Sequence, residues 1–205
     1  MHVGEPRDAL LALHFQNDIC DPQGLIPFSL RRNTSDTGNF LDASRRALMQ
    51  ARRAGWTIVH IHIVFTEDYS DLLRNCRLFL KTETLGALKR GSWGAAAYVG
   101  FEPLPDEIVV TTNCNSGFRR TDLETELRDR DVTQVSVMGL ATQFSVEHTV
   151  RDAADIGFQV RLLADCCASA DLEAHHASLR TLAMLADVAN SDEAFRQSTT
   201  DRAAL

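Results

Sequence analysis

Residues 133–164 read TQVSVMGLATQFSVEHTVRDAADIGFQVRLLA. Residues 133–139, TQVSVMG, are β-branched and apolar and close on Gly139, which predicts a strand. Residues 144–156 place Val146, Val150 and Ala153 on one helical face. Residues 157–164, GFQVRLLA, predict a second strand. A strand, a helix and a strand joined by short connections form a right-handed crossover with the two strands parallel.

The same alternation extends in both directions. Residues 9–15, ALLALHF, form an apolar run without a helical gap, followed by the turn residues Asn17, Asp18, Asp21, Pro22 and Gly24. Phe40, Ala43, Ala47, Leu48 and Ala51 stand at helical spacing within 39–53, and Gly55 stops that helix. Strands are predicted over 56–65, WTIVHIHIVF, and over 107–112, EIVVTT. A helix is predicted over 121–130, opened by a Thr121/Glu124 capping box. A Leu/Ala helix over 171–186 leads to a short last strand around Val188. Residues 66–100 read as one long irregular stretch, a candidate lid or binding element. The expected fold is a single α/β domain over residues 1–205, a three-layer Rossmann-like sandwich with a parallel, mostly six-stranded sheet. Ligands in such folds sit beyond the carboxyl ends of the strands, which directs attention to the residues just after Leu13, Val110 and Met138.

The 205 residues include 21 Lys and Arg against 28 Asp and Glu, a net charge of −7. An acidic chain without a basic run repels phosphate backbones, so no nucleic-acid partner is expected. No apolar stretch approaches the roughly 18 residues of a membrane helix. The opening MHVGEPRDALLALHF lacks a basic stretch ahead of its apolar run, so no leader is expected. The five cysteines, Cys20, Cys76, Cys114, Cys166 and Cys167, show no CxxC pattern. They are expected to be reduced, in a cytoplasmic protein. There is no GxGxxG, no P-loop, no HExxH and no GxSxG, so no nucleotide cofactor or zinc-protease chemistry is expected.

Three ordered stretches carry a more specific signal: ALLALHFQNDICDPQG at 9–24, SGFRRTDL at 116–123, and GLAT at 139–142 followed by TVRDAADIGF at 149–158. With them the chain resembles the isochorismatase-like (cysteine hydrolase) superfamily from about residue 8 to residue 195. The resemblance implies a small-molecule hydrolase that commonly assembles as a dimer or tetramer. It also implies three site positions. Where the family's usual enzymes carry an Asp at the end of the first strand, this chain has His14, followed by Phe15 and Gln16. Where they carry a Lys at the end of the third strand, it has Thr112. Where they carry the nucleophilic Cys, it has Ser145. In the resembled family a cis peptide follows the fourth strand, here Leu140–Ala141, and the amides of Ala141 and Ser145 correspond to its oxyanion donors.

Chemically, Ser145 needs a base within hydrogen-bond reach, and His14 is a residue type suited to proton transfer. A Ser145–His14 dyad is one reading. The other makes His14 a satisfied strand-end histidine and Ser145 a helix N-cap. The expected pocket lies beside Phe15, Gln16, Thr112, Phe118, Ala141 and Ser145. Trp93, Phe118 and Phe144 either wall it or belong to the core. His60 and His62 face the same way on one strand. Lacking a third ligand, they are expected to be hydrogen-bonded rings, and no metal is expected. Cys114 is either a displaced nucleophile or a buried thiol, Cys166 and Cys167 are expected under a loop, and His175 and His176 are expected to be solvated. Two functions stay open: a hydrolase or proton-transfer enzyme working without a cysteine, and a silent pseudoenzyme that binds a metabolite or a partner.

Overall fold

The structure, a computed structural model, describes residues 7–27, 29–30 and 35–196. The ends of the expected 1–205 domain lie outside the described residues. The strands β1 (Arg7–Leu13), β2 (Thr57–Ile63), β3 (Ile108–Thr112), β4 (Val132–Leu140), β5 (Gln159–Ala168) and β6 (Asp187–Ala189) form one sheet in the order β3-β2-β1-β4-β5-β6. Every pairing is parallel. The order reverses between β1 and β4. The open end of the sheet there is where doubly wound folds bind ligands.

Alternation along β1 makes the three layers. Leu10 and Ala12 face one apolar cluster, with Phe40, Leu48 and Trp56. Ala9, Leu11 and Leu13 face the other, with Leu123, Val150 and Leu182. Burial on both faces leaves β1 an unbroken apolar run, as expected of a central parallel strand. Helix α2 (Ser35–Arg53) supplies the first layer. Helices α4 (Leu123–Arg128), α5 (Glu147–Ile156) and α6 (Leu172–Leu182) supply the third.

Several boundaries differ from the sequence reading. β1 stops at Leu13, because His14 takes a left-handed φ of 60° that ends the extended run. A four-residue helix, α1 (Asn17–Cys20), occupies what reads as a turn. Helix α3 (Arg77–Leu85) lies inside the stretch read as irregular, burying Phe79 and Thr82. The capping box does not form. The N-cap of α4 is Asp122, and the Thr121 hydroxyl instead donates to Gly117 O at 2.6 Å. Strand β5 runs on to Ala168, so Cys166 and Cys167 are buried strand residues rather than loop residues. Helix α6 ends at Leu182.

One buried polar knot ties α2 to β2. Glu107 accepts from Arg52 Nε at 2.6 Å, from Arg52 Nη2 at 2.8 Å, from His60 Nε2 at 2.8 Å and from Leu104 N at 2.9 Å. Burial alone would raise the Glu107 pKa, but the bonds from Arg52, Leu104 and His60 outweigh it and hold the carboxyl down to about 2. Glu107→Gln leaves the Arg52 guanidinium without its counter-charge at a site where the Glu107 side chain is only 6% exposed. The expected cost is about 3 kcal/mol. That lowers the thermal midpoint by about 6–12 °C for a chain of this size. A melt followed by circular dichroism checks it, and a change under 1 kcal/mol would contradict the assignment.

Candidate active site

The first and fourth strands end side by side. Leu13 pairs with Gly139, and a Cβ on Gly139, at φ +141°, would sit 2.3 Å from Leu13 O. Only glycine allows the two backbones to run this close. Beyond them lie His14 on one side and the cis Leu140–Ala141 peptide on the other. The chain then enters a π-helical turn, Thr142–Val146, before α5. Ser145 therefore lies inside that turn and is not the cap of α5, a position held by Val146.

His14 is 2% exposed. Its backbone N donates to Ile61 O at 2.8 Å, and its ring Nδ1 lies 3.1 Å from the same oxygen. A carbonyl only accepts, so Nδ1 carries the ring proton and Nε2 is a bare lone pair. That Nε2 is buried and has no hydrogen-bond partner among the described residues. Burial, and then the neighbouring His62, push the ring down to about 3, against the bond to Ile61. At neutral pH the imidazole is uncharged.

The lone pair belongs to a residue lining a cavity of about 30 Å³, shared with Ala141, Phe144, Ser145 and Asn115. Asn115 Oδ1 is likewise buried and without a partner among the described residues. The space exceeds the roughly 10–15 Å³ that one water needs. No direct Ser145–His14 hydrogen bond is formed, because His14 Nε2 is unpaired, but a single water or a reacting group fits between the walls.

The isochorismatase domain family matches residues 8–193. The chain belongs to the isochorismatase family. The chain is 24% identical over 157 residues to the uncharacterized isochorismatase family protein YecD of Escherichia coli O157:H7, covering 77% of this chain and 80% of that one. Ureidoacrylate amidohydrolase RutB of Cronobacter turicensis is 29% identical over 160 residues, covering 71% of this chain and 68% of RutB. A solved cysteine hydrolase from Pseudomonas syringae pv. phaseolicola superposes with a TM-score of 0.85 at 25% identity, over 95% of this chain and 93% of that one.

On this isochorismatase-family fold, four of the site residues expected from the sequence meet at the cavity: His14, Ala141, Phe144 and Ser145. The others are placed elsewhere. Phe15 stacks on Phe101 with centroids 4.1 Å apart and is core. Gln16 is spent on the end of β2, donating to Ile63 O and Ala95 O and accepting from Ile63 N. The Thr112 hydroxyl accepts from Cys114 N at 3.0 Å and so braces the loop after β3. Trp93 is 54% exposed, and Phe118 packs on Phe158 at 6.0 Å. None of these five lines the cavity.

The other candidates also find structural partners. His60 donates to Glu107, and no group of three metal-ligating side chains exists among the described residues. Cys114 is buried with its thiol toward Asn113 Oδ1. The Asp18 carboxylate accepts from Leu25 N and Leu88 N. His175, expected in solvent, is half-buried and bonds Thr142 Oγ1 through Nδ1 at 2.8 Å. Asn115 was missed by sequence reasoning. It sits in a loop with no periodicity, and only its distance of three residues past the end of β3 marks it.

Proposed function

We propose that the protein is a small-molecule hydrolase that cleaves a carbonyl-bearing metabolite with Ser145 as nucleophile and His14 as base, in place of a cysteine-based mechanism. The observation that carries this reading is the bare His14 Nε2 lone pair belonging to the same small cavity as Ser145 and Ala141. The likeness to ureidoacrylate amidohydrolases supports a carbonyl bonded to nitrogen as the group attacked.

The steps balance as an acyl transfer. Ser145 Oγ bonds to the carbonyl carbon as its proton passes to His14 Nε2. The backbone N–H groups of Ala141 and Ser145 receive the developing oxyanion. Collapse breaks the carbon–leaving-group bond, and the leaving group takes the proton from His14. Water then adds to the ester with the same base, releasing the acid and restoring Ser145.

A second reading, binding without turnover, is favoured by one observation. A ring held down to about 3 by burial is a weak base at neutral pH. The test is a panel of small amides, ureides and esters followed by mass spectrometry, with Ser145→Ala in parallel. The hydrolase reading expects conversion by the wild type and at least a hundredfold loss in the variant. Saturable binding with no conversion by either protein would replace it with the binding reading.

A further inference from the structure

A second, larger hollow of about 530 Å³ opens between α2 and α6 at the carboxyl end of β5. It shares no lining residue with the cavity at His14. Its volume falls in the usual range of small-molecule sites. Phe40 and Leu172 give it apolar walls, and Asn39, Arg46, His175 and His176 give it polar ones.

The described lining of this hollow carries one guanidinium, Arg46, and one carboxylate, Asp165. Both oxygens of Asp165 are occupied. Oδ1 accepts from Ser191 N and Oδ2 from the Ser191 hydroxyl, each at 2.7 Å. Arg46 is exposed and forms no ion pair among the described residues. A guanidinium that no described carboxylate pairs, beside an apolar wall and with the Asp165 oxygens already bonded to Ser191, suits a carboxylate or phosphate on an aromatic or branched body.

The hollow also touches the turn that carries Ser145. The Thr142 hydroxyl donates to Ala168 O at 3.1 Å, and His175 Nδ1 lies 2.8 Å from the same hydroxyl oxygen. Since that hydroxyl has one proton, His175 Nδ1–H is the donor in its bond. Ala168 and His175 both line the hollow, and Thr142 is the first residue of the π-helical turn. The Ser178 hydroxyl adds a bond to the Glu147 carboxylate just beyond the turn.

We propose that this hollow is a second binding site, for a small organic anion with an apolar body, and that its occupant shifts the Thr142–Val146 turn through His175. The site stands whether or not Ser145 is a nucleophile, because its readout needs no turnover. The test uses the isotopically labelled full chain titrated with benzoate and phenyl phosphate, with benzamide as the uncharged control, followed by backbone amide shifts. Expected are saturable shifts at Asn39, Arg46 and His175 with Kd about 1 mM or tighter, and benzamide at least tenfold weaker. Linked shifts at Thr142, Phe144 and Ser145 are expected at the same titration midpoint. Arg46→Glu, an exposed change, is expected to weaken both anions at least tenfold and leave the remaining spectrum unmoved. Equal binding of benzamide, shifts confined to the surroundings of His14, no saturable shift, or no effect of Arg46→Glu would each overturn the site. Shifts that stop at His175 would overturn the coupling alone.

Discussion

His14→Asn is expected to reduce kcat/KM by about a hundredfold to ten-thousandfold, the usual contribution of a positioned acid–base group. Asparagine tolerates the left-handed backbone at this position, φ 60°, better than alanine does, so the fold survives the change. What it removes is the imidazole lone pair. The pH profile separates a base from a bystander. The working form is the neutral ring, and burial holds its pKa down to about 3. The acid limb of kcat/KM that reports His14 therefore lies far below the 6.5 of a free imidazole, with a flat profile between about pH 5 and 7. A limb centred near 6.5 that vanishes in His14→Asn would mean that the ring titrates as a solvated histidine, and the buried-base assignment would fall. Unchanged kcat/KM in the variant would remove His14 from the chemistry altogether.

The legibility of the fold and that of the site differ for a physical reason. Strand and helix identity follows from periodicity, a local property, and Leu10/Ala12 against Leu11/Leu13 states the two buried faces of β1 openly. Gly139, read as the strand's close, lies one residue inside it, and its glycine is required by the close approach to Leu13 O. The site depends on where each strand stops. Phe15 and Gln16 are expected at the pocket from the resemblance, as the residues that follow His14. The left-handed turn at His14 resets the alternation, so Phe15 goes to the aromatic core and Gln16 to the end of β2. Thr112 fails as a pocket residue because its hydroxyl satisfies the loop that follows it. Helix α3 is short and buries few side chains, too weak a pattern to announce itself. The hollow between α2 and α6 joins residues more than a hundred positions apart, such as Arg46 and His175, and no local pattern encodes that meeting.

Stability is expected to fall steeply as pH drops from 6.5 toward 4. Four histidines are held below the free imidazole value, each by burial first: buried His14 and His60, and part-buried His62 and His175. His14 is held down to about 3, by burial first and His62 second. His62 is held down to about 4, by burial first and His60 second, with the His60 and His62 rings 6.3 Å apart. In both, the folded pKa lies below the unfolded value, so below 6.5 the unfolded chain binds the proton that the native state refuses. The stability present above 6.5 is therefore lost as pH falls toward the folded values. Each ring contributes up to about 1.4 kcal/mol per pH unit, so the pair costs about 4 kcal/mol between pH 6 and 4.5. That is a large part of the roughly 5–15 kcal/mol that holds a domain together. Glu107 acts in a lower window. Its carboxyl is held down to about 2, so its contribution persists above the ordinary carboxylate range and disappears only on further acidification. Urea unfolding at pH 7, 6, 5 and 4.5 checks the order of events. His14→Asn is expected to show a shallower slope than the wild type over this range, since one of the rings that refuse a proton in the native state is gone. A wild-type stability that stays flat between pH 6.5 and 5 would show that neither ring is buried uncharged, and the lone pair assigned to His14 Nε2 would fall with it.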